Sequence, residues 1–145
     1  MATKFSIEVE LDFQIWGINS NMEDYRLCWH LNHYLGWQLK RVNDVELKHR
    51  ATKELWRFNA YKYNNELDMY MLELIQNKKI GNVLIPELKN IDFLFLLSGE
   101  EEYFGEKEFT DLLTKIPGVQ STIRLELNSL KSRHNLLYRH FNEHS

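Results

Sequence analysis

Three carboxylates in this chain stand where chemistry could be built: Asp24, Glu87 and Asp92. Glu87 and Asp92 lie close together in the string Ile85-Pro86-Glu87-Leu88-Lys89-Asn90-Ile91-Asp92-Phe93. Near a strand edge, two such groups could work as an acid/base pair or hold a divalent cation. The same residues also suit a purely architectural role. Pro86 would end one strand and restrict Ile85 to extended backbone, and one carboxylate would accept the N–H groups of a tight connection. Asp24 and Asn32 raise a similar choice. Both fall inside the apolar arc of a helix that the sequence places after residue 20, and buried polar groups there need partners or mark a site. Asp24 is also favoured in a first helical turn by the partial positive charge of the helix N-terminus, and Asn32 could tie down a neighbouring strand.

Other chemistries find little support. His30 and His33 have a spacing compatible with zinc, but Arg26 shares their face and no second ligand pair lies nearby, so a solvated face is expected. His140 and His144 sit one helical turn apart near the C-terminus, with even less to recommend them. Cys28 is the single cysteine and falls on the apolar arc, which favours burial over nucleophilic work and excludes an internal disulfide or a multi-thiolate metal site. The six glycines form no phosphate-cradling pattern, and there is no nucleophile elbow. No catalytic, metal or cofactor set is therefore assigned.

Two charged stretches suggest partners. Lys48, Arg50, Lys53, Arg57 and Lys62 interleave with Trp56, Phe58, Tyr61 and Tyr63. A basic aromatic sheet face of that kind stacks the bases of RNA or single-stranded DNA. Glu46, Glu54 and Glu66 dilute it, and the chain carries 18 basic against 21 acidic side chains, a net charge of −3 that disfavours a dedicated nucleic-acid binder. Glu100, Glu101 and Glu102, with Glu106 and Glu108, form an opposing acidic patch that admits contacts between copies of the chain.

The elements that must position these groups follow from composition and periodicity. With 145 residues, 43% of them hydrophobic, the chain is read as a single domain, 1–145, with material for a sizeable core. No apolar run is long enough to cross a membrane and no signal run opens the chain, so a cytoplasmic protein is expected. Alternation marks strands over 5–12, 13–19 and 37–42. Ser20 and Glu23 have capping-box spacing, which predicts a helix from Asn21 to Leu35 stopped by Gly36. Its apolar arc, counting Tyr25, Leu27, Cys28, Trp29, Leu31, Asn32 and Leu35, exceeds half the circumference, so good cover is expected. Residues 43–54 read as a loop, 55–63 and 67–75 as a hairpin about Asn64-Asn65-Glu66, and 80–85 as a strand closed by Pro86. Residues 91–97 read as a buried central strand, 106–116 as a helix, 119–127 as a strand and 128–145 as a short helical tail. The sum is an α+β fold: a largely antiparallel sheet of about seven strands with two main helices on one face. Pairing β-α-β units over 13–42 and 91–127 would make an elaborated ferredoxin-like sandwich.

The string over 85–93 resembles the signature of the bacterial IPExxxVDY family, found mainly in Bacteroidota. Ile85, Pro86, Glu87 and Asp92 match outright, whereas Ile91 replaces the Val and Phe93 the Tyr. The loss of that hydroxyl removes any role it plays in the family. Glu23-Asp24-Tyr25-Arg26-Leu27 with Leu31-Asn32 adds to the likeness, which spans most of the chain. The resemblance implies a small cytoplasmic protein and brings no activity with it. The expected function is a non-enzymatic protein-binding or scaffold module, acting as a homodimer or with a protein partner. The alternatives are a small-ligand binder or enzyme built on the clustered carboxylates, and an RNA-binding protein.

Overall fold

A computed structural model of the protein describes residues 13–99 and 105–137. The expected strand over 5–12, Glu100 to Glu102, and His140 and His144 lie outside them. Strand β1 (Gln14–Ser20) leads to helix α1 (Asp24–Leu35), followed by β2 (Lys40–Lys48), β3 (Leu55–Asn65) and β4 (Tyr70–Gln76). A small ribbon, β5 (Lys78–Lys79) and β6 (Asn82–Val83), precedes a 3-10 turn at Pro86–Leu88. Then come β7 (Phe93–Gly99), α2 (Glu106–Thr114) and β8 (Val119–Leu125), with 3-10 turns at Leu127–Ser129 and Arg133–Leu137. The main sheet has the order β2-β3-β4-β7-β1-β8, and every neighbouring pair is antiparallel. This is an α+β fold with, among the described residues, six strands in the main sheet and two in the ribbon.

Within it, β8-β1-β7-β4 has the strand order of a split β-α-β sandwich, and β2 and β3 extend the sheet between α1 and β4. β7 lies near the centre, paired with β1 on one side and β4 on the other, and Phe93 to Leu97 are all buried. That double burial is why its sequence is continuously apolar and not alternating.

The two faces of the sheet are covered differently. On one, Leu27, Cys28 and Leu31 of α1 and Phe109 and Leu113 of α2 pack with Trp16, Ile18, Leu72, Leu74, Phe93 and Phe95. Trp16 fixes α2 by donating its indole N–H to the Thr110 hydroxyl at 2.8 Å while its ring meets Phe109 at 4.5 Å. Among the described residues, the other face has no long helix. Leu84, Ile85, Leu88 and Ile91 from the segment before β7, with Leu127, Leu130 and Leu136, cover Ile15, Phe58, Ala60, Ile75, Leu94 and Leu96. Gly17 matters here: a Cβ at that position would stand 3.0 Å from the Ile91 side chain, so glycine in β1 lets Ile91 lie close over the strand.

Several local expectations change. Helix α1 starts at Asp24, with Glu23 at the N-cap and no side-chain cap. Ser20 is the last residue of β1. Its hydroxyl accepts the Met22 N–H and donates to the Gly118 carbonyl, so it anchors a strand end and does not cap the helix. Gly36 does stop α1, in left-handed backbone at φ 69°. Residues 43–48 are strand, not loop: an extra residue between Val42 and Val45 forms a bulge against β3 that breaks the alternation. β3 runs on through Asn65, so the hairpin tip falls at 66–69. No strand spans 80–85 either. Ile80 and Gly81, both at positive φ, turn the β5-β6 ribbon, a conformation that sequence rules do not assign to a β-branched residue.

An irregular segment can cover a core only if its backbone polar groups find partners. Asn77, fully buried, supplies them. Its side-chain N–H groups donate to the carbonyls of Leu88 (2.8 Å) and Ile91 (2.9 Å), and its Oδ1 accepts the Ile85 N–H at 3.0 Å. Its own N–H donates to the Asp92 carbonyl, and its carbonyl accepts the Leu84 N–H at 2.7 Å. Asn77→Ala removes three bonds at once and strands buried groups, each costing about 1–3 kcal/mol. The urea midpoint is expected to fall further for Asn77→Ala than for alanine at Glu87 or Asp92. An unchanged midpoint would contradict this account of the segment.

Candidate functional site

The carboxylates singled out by sequence do not act together. Asp24, buried in the first turn of α1, accepts the Tyr61 hydroxyl at 2.6 Å and the Asn59 side-chain N–H at 2.9 Å, both on the same oxygen. Asn59 Oδ1 in turn accepts from Arg41 and Lys79, each within 2.9 Å. The cluster therefore pins the N-terminus of α1 to β3. Burial by itself would push the Asp24 carboxyl up; the bonds from Tyr61 and Asn59 and the nearby Arg41 guanidinium outweigh it and hold the group below its ordinary value. The Tyr61 hydroxyl is pushed up by burial and by donating to Asp24, which keeps it a donor. Cys28 is buried, and desolvation with the neighbouring Asp24 charge pushes its thiol up to about 11, so it stays protonated and a poor nucleophile.

Asn32 makes a two-pronged clamp on one residue: its Oδ1 accepts the Leu39 N–H at 2.8 Å, and its N–H donates to the Leu39 carbonyl at 3.0 Å. That clamp sets the approach of the chain to β2. Asp92 joins β7 to β1. Its Oδ2 accepts the Ser20 N–H at 3.0 Å, its own N–H donates to Asn19 Oδ1, and Oδ1 pairs with Lys78 at 3.1 Å. Glu87, in the turn that Pro86 opens, accepts the Ser132 N–H and so ties in the C-terminal segment. That contact outweighs partial burial and holds the Glu87 carboxyl below its usual value. The expected extended backbone at Ile85 is present, at φ −114° and ψ 96°. The expected service of the connection by a carboxylate is shared: Asn77 takes the Ile85 N–H, Glu87 accepts its own N–H besides that of Ser132, and Asp92 reaches to β1. No two of Asp24, Glu87 and Asp92 share a partner.

The basic aromatic stretch is likewise divided. Phe58 packs under one sheet face and Tyr61 under the other, with Trp56 and Tyr63 packed at their edges. The rings are thus spent on the core instead of being offered for stacking. Arg57 is paired with Glu46 at 2.8 Å, Lys48 ends β2, and Arg50 and Lys53 lie in the β2-β3 connection. Lys62 stands an odd number of residues from Arg57 along β3 and so projects from the opposite face.

What the structure does expose is a broad outer arc of α1, from Tyr25 on one flank through Trp29 to Tyr34 on the other. Tyr25, Trp29 and Tyr34 are 63%, 57% and 53% accessible, although Tyr25 and Trp29 were expected within the covered arc. Only the Asp24, Leu27, Cys28 and Leu31 side of the helix is buried, because a helix lying on a sheet hides a narrower stripe than this arc. Trp29 is stacked on His33, with ring centres 4.6 Å apart and planes at 12°, and His30 meets Trp29 edge-on at 5.2 Å. Beside them runs an open groove of about 650 Å³ between α1 and the turn into β8, bounded by Met22, Tyr25, Arg26, His30, Pro117 and Val119. A second hollow, about 460 Å³, continues it past Arg26 to Trp29. The signal in the sequence was the apolar arc itself, too wide for one buried face.

Among the described residues, no group of three or more His, Cys, Asp or Glu is placed to hold a metal ion, and no helix is long and apolar enough to cross a membrane. Fold and site together define an α+β protein that displays an aromatic helix face beside a groove. Compared with models of protein families, with curated proteins and with solved structures, the chain matches none.

Two measurements test the roles assigned to the carboxylates. A carboxyl held lower in the folded than in the unfolded chain adds stability that is complete above its unfolded value, 3.8 for Asp24, and is lost as pH falls through the folded value. Asp24→Asn is therefore expected to lower the urea midpoint at pH 7, with the gap to wild type closing below about pH 4. A gap that stays constant or widens on acidification would contradict the cluster's role. Asp92→Ala leaves the amide of buried Ser20 without a partner, at about 1–3 kcal/mol, and Asp92→Asn costs less because its amide oxygen still accepts. Unchanged midpoints in both Asp92 variants would refute the β1-β7 tie.

Proposed function

We propose that this protein is a non-enzymatic recognition module that docks a protein partner on the exposed face of α1. The observation that carries the reading is the display of Tyr25 and Trp29, about one helical turn apart on the rim of the same hollow and each more than half accessible. Exposed aromatic side chains on a preformed element give a large contact area at little cost in side-chain entropy, and Trp and Tyr are enriched among the residues that dominate interface energies. The stacking of Trp29 on His33 restricts the indole before any partner arrives. The deployment of Asp24, Glu87 and Asp92 on separate hydrogen-bond partners supports a binding role over one built on paired carboxylates. The likeness to the IPExxxVDY signature is compatible with this reading and adds no activity to it.

A photo-crosslinking residue placed at Gln120, on the groove wall, would capture a docked protein in an extract of the source organism. The triple variant Tyr25→Ser, Trp29→Ser, Tyr34→Ser is expected to keep its urea midpoint within about 0.5 kcal/mol, as exposed positions do, and to lose the crosslink. Light scattering over a concentration series separates a second copy of the chain from a different protein. Capture that survives the triple substitution, or no captured protein at all, would overturn the reading.

A further inference from the structure

The main sheet ends in β2 on one side and β8 on the other, and the two edges are built differently. An edge strand offers a row of backbone N–H and C=O groups to any further strand, and charged side chains and bulges deter that pairing. β2 has both: five of its nine residues, Lys40, Arg41, Asp44, Glu46 and Lys48, are charged, and a bulge lies between Val42 and Val45. In the seven residues of β8 the one charge is Arg124. Asn19 pairs with Ser121 and Ser20 with Val119, so Gln120 is an extra residue at the start of β8, and 121–125 run in regular register along β1. Among the described residues, no backbone hydrogen bond joins 121–125 to anything but β1. In the middle of this stretch Ile123 lies over Gly17 and is still 53% exposed, and the buried Thr122 hydroxyl has no hydrogen-bond partner.

We infer that β8 pairs with β8 of a second copy of this chain, antiparallel about a two-fold axis at Ile123, joining two main sheets into one. The register is what selects a second copy. Directly opposed residues of an antiparallel pair project from the same face, so a two-fold axis through the sheet must pass between identical residues. Centred on Ile123, the axis opposes Ile123 to itself, Thr122 to Arg124 and Ser121 to Leu125, which uses the whole regular stretch and opposes no like charges. The two half-exposed isoleucines then cover each other, and each Thr122 faces a guanidinium donor across the seam. Centred on Arg124, two guanidinium groups would be opposed, which is destabilising. Centred on Thr122, Leu125 would meet Val119, which lies beyond the bulge and packs with the opposite, helix-covered face. The unequal edges also close the assembly: the pair is left with β2 at both ends, guarded by its charges, so association stops at two copies. The inference does not rest on the recognition role of α1, whose outer arc is a different surface.

Sedimentation equilibrium of the intact protein over a concentration series is expected to give twice the mass of the chain. Ile123→Lys and Ile123→Glu each put like charges on the axis and are expected to raise the dimer dissociation constant by about tenfold or more. An equal mixture of the two variants is expected to recover the dimer, because the axis then holds opposite charges; a variant that had merely misfolded would not recover. With a short thiol crosslinker, Ile123→Cys is expected to join two copies. Ser121→Cys is not, since its own counterpart stands four residues away along the seam, about 13 Å. The inference is overturned if the wild type stays monomeric at the highest concentration, if Ile123→Lys leaves the dimer intact, if the mixture stays monomeric, or if Ser121→Cys links as readily as Ile123→Cys. A dimer lost in the Tyr25→Ser, Trp29→Ser, Tyr34→Ser variant would overturn it in favour of α1. A monomer whose Gln120 crosslink to a different protein is lost on Ile123→Lys would overturn it in favour of a foreign strand on β8. A Gln120 crosslink between two copies that survives the triple variant and is lost on Ile123→Lys reports the β8 seam and is counted apart from a partner captured on α1.

Discussion

The architecture depends on one saturated side chain. Asn77 uses its amide group and its own peptide group to satisfy Leu84, Ile85, Leu88, Ile91 and Asp92. These residues belong to a stretch with no strand partners beyond the small ribbon, yet Leu84 and Ile85 are completely buried against the main sheet. A buried backbone without a ladder would otherwise be penalised at every unpaired N–H and C=O. The asparagine side chain suits the task because it offers two donors and an acceptor without a charge to desolvate. Through it an irregular segment does the work that a helix does on the opposite face.

The polar groups around this knot extend the same logic. Asp92 carries it to β1 through Ser20, Glu87 to the C-terminal segment through Ser132, and Asn135 adds a bond to the Leu84 carbonyl at 2.7 Å. On the helical face, Asp24 and Asn32 hold the start of α1 and the chain beyond its end. Residues that by type could have done chemistry are thus committed to holding elements together. The contrast with the outer arc of α1 is direct: Tyr25, Trp29, Tyr34 and Arg26 stand exposed, and the rings of Trp29 and Tyr34 contact His30 and His33 of the same helix. Under the proposed role, architecture and recognition fall on different surfaces of the same helix.

Much of this was legible in the order of residues. The continuous apolar run of β7, the i, i+3, i+4, i+7 pattern of α2 and the glycine after α1 placed those elements closely, because each signal is local and unopposed. Failures fell where a non-local contact captured a residue with a strong local meaning. Ser20 and Glu23 have capping-box spacing, but the serine is drawn into the junction of β1 with the Gly118 turn. The β2 bulge hides its alternation, and Ile80 takes a left-handed turn that its branched side chain disfavours. The role of Asn77 went unread, since nothing in its neighbours announces that a chain fifteen residues long will fold back around it. The exposed face of α1 was missed for the opposite reason: aromatic residues were assigned to the core by type, and only packing shows how narrow the buried stripe is.

The central claim is that Asn77 makes the segment before β7 part of the cooperative core. Residue-resolved hydrogen exchange tests it most directly, because irregular segments ordinarily exchange through local opening at little free-energy cost. The account predicts that the amides of Leu84 and Ile85 exchange as slowly as those of Phe95 in β7, at the free energy of global unfolding. Exchange of Leu84 and Ile85 at the rate of the hairpin tip 66–69, with β7 still protected, would contradict it.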